Sequence, residues 1–89
     1  MAISAKDVVL LWIENRANVR GVMPAFWSYE FEEKIVIYGK LAHQKVHTAS
    51  TYARAFRDIR SSNTLSKFGF ALEEIKGKGK VKGWKINKL

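Results

Sequence analysis

The chain has 89 residues, 47% of them apolar and 27% charged, the balance of one small globular domain and not of a disordered segment. It contains no cysteine, which excludes a disulfide framework and the cysteine-based zinc modules. Sixteen lysines and arginines against eight acids give a net charge of +8, an electrostatic footprint for a polyanion such as nucleic acid.

That charge is unevenly spread. Met1 to Gln44 holds five basic and five acidic residues, whereas Lys45 to Leu89 holds eleven basic against three acidic, so the whole excess lies in the second half. No segment approaches the ~20 apolar residues of a membrane span. The apolar run Val8 to Ile13 is too short for a signal sequence. A cytoplasmic, nucleoid-associated protein is expected, or a nuclear one in a eukaryotic host.

In chain order, "SAKD" (Ser4 to Asp7) has the form of a capping box, a hydroxyl at the N-cap and a carboxylate three residues on. The spacing predicts helix 1 over about Ser4 to Arg16, with Val8, Leu11, Trp12 and Asn15 on one side. "ANVRGVMPAFW" interrupts it, since Gly21 and Pro24 are breakers and a residue before proline is pushed out of helix. Ser28 is a second candidate N-cap, followed by Glu30, Glu32 and Glu33 where carboxylates favour the positive helix end. Phe31, Ile35 and Tyr38 recur at helical spacing, so helix 2 is expected from Ser28 to Gly39 or on to Ala42. Val46 and its neighbours read as a possible short strand.

Helix 3 is expected within "HTASTYARAFRDIRSS", capped by Thr48 or Ser50 and ended by Asn63 in a left-handed conformation. At about 100° per residue, Tyr52, Ala55, Phe56 and Ile59 share one face. Ser50, Arg54, Arg57 and Ser61 share the opposite face, and Arg60 leans to one flank beside Ala53. "KFGFALEEIKGKGKVKGWKINKL" then alternates as a β-hairpin, with Phe68, Phe70, Leu72, Trp84 and Ile86 on the apolar side. Gly77 and Gly79 allow the positive φ angles that tight hairpins need. Lys76, Lys78, Lys80, Lys82, Lys85 and Lys88 fringe it. The tryptophans, with Phe26, Phe31, Phe56, Phe68 and Phe70, are the candidate core.

Three helices followed by a basic hairpin, with an arginine-faced third helix directly before it, resemble the winged helix-turn-helix family over about Ser4 to Ile86. The resemblance implies an α+β fold: a three-helix winged helix-turn-helix with a C-terminal hairpin wing, as a single domain over residues 1–89. It implies that "STYARAFRDIRSS" enters the major groove of double-stranded DNA and that "KGKGKVKG" lies on the backbone. The DNA-binding residues would then be Thr48, Ser50, Thr51, Arg54, Arg57, Ser61, Lys76, Lys78, Lys80 and Lys82. Small residues between the arginines allow close approach to base edges, and a guanidinium fork pairs with guanine or phosphate. The links from Gly39 to Thr48 and through "GVMPAFW" are long for the compact turns of that family. A small transcriptional regulator is the function implied, monomeric in solution and able to pair on DNA.

Other classes of function fit less of the chain. A protein-interaction adaptor with a basic face, or an RNA-binding winged helix, shares the same charge pattern. Peripheral membrane binding ranks last, because no helix pairs a lysine-rich face with an exposed apolar one. His43 and His47 have a spacing that would put both imidazoles on one helix face, but no third metal ligand accompanies them. No phosphate loop or nucleophile elbow is present, so neither an enzyme nor a cofactor is expected.

Overall fold

Helix α1 (Ala5–Ala17) starts where the capping box places it. Ser4 Oγ accepts from the Asp7 N–H at 3.2 Å, and the Asp7 carboxylate accepts from the Ser4 N–H at 3.0 Å. The computed structural model describes residues 3–21 and 23–89. The buried face of α1 is Val8, Val9, Trp12 and Ile13, whereas Leu11 and Asn15 are exposed. The face expected from spacing alone is therefore rotated, because α1 packs against two of the later helices and buries adjacent pairs of residues instead of a narrow stripe.

The stretch after α1 holds a strand, β1 (Ala25–Trp27), which runs directly into α2 (Ser28–His43). Trp27 and not Ser28 is the N-cap of α2; its N–H donates to the Glu30 carboxylate at 3.4 Å. The helix continues through Gly39 to His43 and stops at Gln44, whose φ of 54° is left-handed. Gly39 is buried inside the helix, so it is not a stop signal. Residues 44–48 form a loop without the strand expected around Val46.

Helix α3 (Ala49–Ser61) takes Thr48 as its N-cap and buries Tyr52, Ala55, Phe56 and Ile59, the face that its periodicity predicts. It ends at Ser62 in extended backbone, not at a left-handed Asn63. Asn63 instead precedes a fourth, single-turn helix, α4 (Thr64–Lys67), which the sequence reading did not include. The hairpin follows as β2 (Phe70–Lys76) and β3 (Lys82–Lys88), joined by the loop Gly77 to Val81 with Gly79 at φ +69°. Phe68 precedes the hairpin and is exposed.

The fold is thus α+β, with four helices and a three-stranded antiparallel sheet of order β1-β3-β2 among the described residues. Phe26 pairs with Trp84, and Leu72 with Ile86. Pro24 has no N–H to add to a ladder but its carbonyl accepts from the Ile86 N–H at 2.7 Å, which brings the chain into β1. Five aromatic rings from five elements make the centre of the core. Trp12 meets Phe26 and Phe31 edge-on at 4.8 and 5.4 Å, and Phe56 meets Phe31 at 4.7 Å and Trp84 at 4.9 Å. Such contacts add about 0.5–1.5 kcal/mol each beyond area burial, and they fix α3 against the sheet.

Trp27 is half-buried on the opposite face of the sheet, so it lies outside this core. Its ring crosses β3 at Gly83, where a Cβ would come within 2.6 Å of Trp27 Cε3 and 2.8 Å of the Phe26 carbonyl oxygen. The same ring reaches Gly77 at the start of the hairpin loop. Trp27 therefore clamps the loop end of the hairpin from behind. No helix among the described residues is long and apolar enough to cross a membrane.

Candidate nucleic-acid interface

The outward face of α3 is built by its cap and its periodicity together. Thr48 Oγ1 accepts from the Thr51 N–H at 3.3 Å, and the hydroxyls of Ser50 and Thr51 each lie 3.0 Å from it. Three hydroxyls are thereby gathered at the positive end of a helix dipole. One turn on, Arg54 and Arg57 are exposed, and no carboxylate among the described residues lies within salt-bridge distance of either. Ser61 is exposed too, but its hydroxyl donates back to the Arg57 carbonyl at 2.9 Å, which ties it to the helix.

The hairpin lysines divide by register. In β2, Leu72, Glu74 and Lys76 share a face, and in β3 so do Ile86, Trp84 and Lys82, since Lys76 pairs with Lys82 and Glu74 with Trp84. Trp84 on that face touches Phe56 of α3. Lys76 and Lys82 therefore extend, toward the tip, the hairpin face that packs on α3. Lys78 and Lys80 stand in the exposed loop. Lys85 points the other way with Glu73. Lys82 Nζ lies 3.9 Å from Glu74 in an exposed pair, an interaction worth about 0–1 kcal/mol.

Arg60, which periodicity places on the flank beside Ala53 and outside the expected DNA-binding set, joins the two halves. Its guanidinium sits 4.7 Å from the ring centre of Phe56 and 4.7 Å from that of Trp84. Burial against these rings, and then the neighbouring charge of Arg57, push its pKa below the ordinary arginine value, while Glu74 acts in the opposite direction. The contact with Phe56 has a signal in the sequence, an aromatic four residues before an arginine on one helix. The contact with Trp84 has none, because it joins residues brought together only by the sheet.

From Thr48 to Arg60 the helix rises about 18 Å at 1.5 Å per residue, so hydroxyls mark one end of the strip and the arginine–wing junction the other. The histidines take no part in it. His43 ends α2 edge-on to Tyr38 at 5.0 Å, and His47 lies in the loop edge-on to Tyr52 at 5.4 Å. No cluster of three potential metal ligands occurs among the described residues. No protein-family model, no curated protein and no solved structure matches this chain.

Proposed function

We propose that this chain is a duplex DNA-binding protein of winged-helix type, acting as a small transcriptional regulator. The order helix, strand, helix, helix, single-turn helix, hairpin, with the early strand on the hairpin's edge, supports that type of fold. Helix α3 enters the major groove with Ser50, Thr51 and Arg54 toward base edges, while Lys76, Lys78, Lys80 and Lys82 contact phosphates as the wing. Thr48 holds the helix start and Ser61 the helix end.

The observation that carries this proposal is the gathering of cations on α3 and on the hairpin face that meets it. Arg54 and Arg57 lie on the outer face of α3, Arg60 is stacked against the hairpin, and Lys76 and Lys82 share the hairpin face that meets α3. A predominantly cationic surface along a groove-sized rod and a two-stranded flap, with Glu74 the acid between Arg60 and Lys82, suits a polyanion with a groove next to a backbone.

The test is a titration of purified protein against labelled random-sequence duplexes over a salt series, followed by selection of preferred sites. With five or six phosphates contacted, log K should fall with log salt at a slope of about −5. Absence of any retardation at low salt would overturn the proposal. A firm preference for A-form RNA would keep the cationic strip but remove the major-groove docking, since that groove is too narrow for side chains to read.

A further inference from the structure

We propose that Arg57 and Arg60 hold a single phosphate group in the cleft where the start of α2 meets α3 and Trp84. The cleft has a volume of about 130 Å3 and is lined by Ser28, Glu32, Ala53, Arg57, Arg60 and Trp84 over a floor of Phe31 and Phe56. That is well below the ~300–1,000 Å3 of ordinary small-molecule pockets and on the scale of one small anion.

Three features converge there. Two guanidiniums one helical turn apart share the cleft, and neither has a carboxylate within salt-bridge distance among the described residues. After burial, their mutual repulsion contributes to the lowered pKa of Arg60, and Glu74 offsets it only in part; an anion between them would relieve it. Arg60 is held by two ring faces before any ligand arrives, so little side-chain entropy remains to be lost on binding. Planar forks are the groups that grip phosphate bidentately. Finally, α2 begins at this cleft with Trp27 as N-cap, a residue without a side-chain acceptor for the first-turn N–H groups. Glu32 opposes the site: its carboxylate lines the same cleft, so it weakens anion binding.

The assignment divides the arginines of α3 by task. Arg57 and Arg60 position the chain on a phosphate, which leaves Arg54 to read bases. Only the source of the phosphate, a duplex backbone or a free phosphate compound, rests on the proposal of DNA binding.

The experiment has two arms. In the first, wild-type protein is titrated with inorganic phosphate and with pyrophosphate against chloride at matched ionic strength, following arginine Nε–H and backbone amide NMR signals. Saturable shifts are expected at Arg57, Arg60 and Ser28 but not at Arg54. They should be lost in Arg57→Ala and enhanced in Glu32→Gln. In the second, the salt slope of duplex binding is compared between wild type and Arg57→Ala/Arg60→Met, whose methionine keeps an apolar stem against Trp84. A slope shallower by about 0.9, equal for all sequences, marks one lost phosphate. A positive result in the first arm alone assigns the cleft to a free phosphate compound, and one in the second alone assigns it to the backbone. Absence of both overturns the inference while leaving duplex binding intact. If wild type binds no duplex, the first arm alone decides the cleft.

Discussion

The Tyr52 hydroxyl occupies the space that a Cβ on Gly39 would need. Tyr52 is fully buried, and its hydroxyl has no hydrogen-bond partner among the described residues. Helices α2 and α3 therefore approach each other through one missing side chain on α2 and one large ring on α3. Gly39→Ala would gain about 1 kcal/mol in helix propensity but overpack the contact with the buried Tyr52 ring, at about 2–3 kcal/mol. A net loss of about 1–2 kcal/mol is expected in urea unfolding. Tyr52→Phe removes an unpartnered buried hydroxyl and should be neutral, or stabilising by up to about 1 kcal/mol. In the double variant the alanine Cβ next meets the ring at Cζ, 3.1 Å away. The two changes should couple favourably by about 1 kcal/mol or more; strict additivity would refute this packing.

Burial raises the Tyr52 pKa above its ordinary value, and burial followed by the Glu14 charge raises that of Tyr38. A raised phenol pKa means that the folded state holds its proton more tightly. Stability from this source is full below the unfolded value of about 10 and declines as pH rises toward the folded value. Alkaline unfolding, followed by circular dichroism, should start at higher pH in Tyr52→Phe than in wild type. An identical alkaline limb in both proteins would show that the phenol is not the group being charged.

Gly83 is required by the Trp27 ring that crosses it and by the Phe26 carbonyl. Gly83→Ala should destabilise the protein by about 1–3 kcal/mol through overpacking and loosen the loop end of the hairpin. Because one obstructing atom is backbone, Trp27→Ala should rescue the loss only in part. Hydrogen exchange at the β2–β3 amides reads the effect directly: faster exchange there than in α1 is expected, and a uniform change would argue against a local clamp.

Arg54→Ala should reduce affinity for a preferred duplex by about 1–3 kcal/mol and relax the choice of base at one position. Lys78→Ala, in the exposed hairpin loop, should weaken binding to all duplexes alike and reduce the salt slope by about 0.9. Anisotropy titrations on preferred and scrambled sites separate the two. Equal loss on both sites for Arg54→Ala would remove its base-reading role.

Glu74 is the one carboxylate on the hairpin face that meets α3, opposite Trp84 and within reach of Arg60 and Lys82. Its charge opposes a phosphate approaching that face. Glu74→Gln should raise duplex affinity about two- to fivefold at low salt, from the ~0.5–1 kcal/mol of an exposed charge interaction. The gain should fade at high salt. Weaker binding in Glu74→Gln would mean that the carboxylate orients Arg60 and does not compete with phosphate.

Much of this molecule is written in neighbouring residues. The Ser4–Asp7 box, the Thr48 cap, the two faces of α3 and the glycine-tipped hairpin each follow from residues within one element, where caps, helical periodicity and strand alternation act locally. The hydroxyl and arginine strip of the candidate interface was legible for the same reason. Tertiary structure alone decided the rest. Ala25–Trp27 became a strand because β3 offered an edge to it, Gly39 stayed helical because Tyr52 filled its missing side chain, and α1 turned a broader face inward because two helices press on it. Arg60 took its place between helix and wing through Trp84, twenty-four residues away in the chain. Contacts of that kind depend on where distant segments meet, and no local pattern encodes the meeting point.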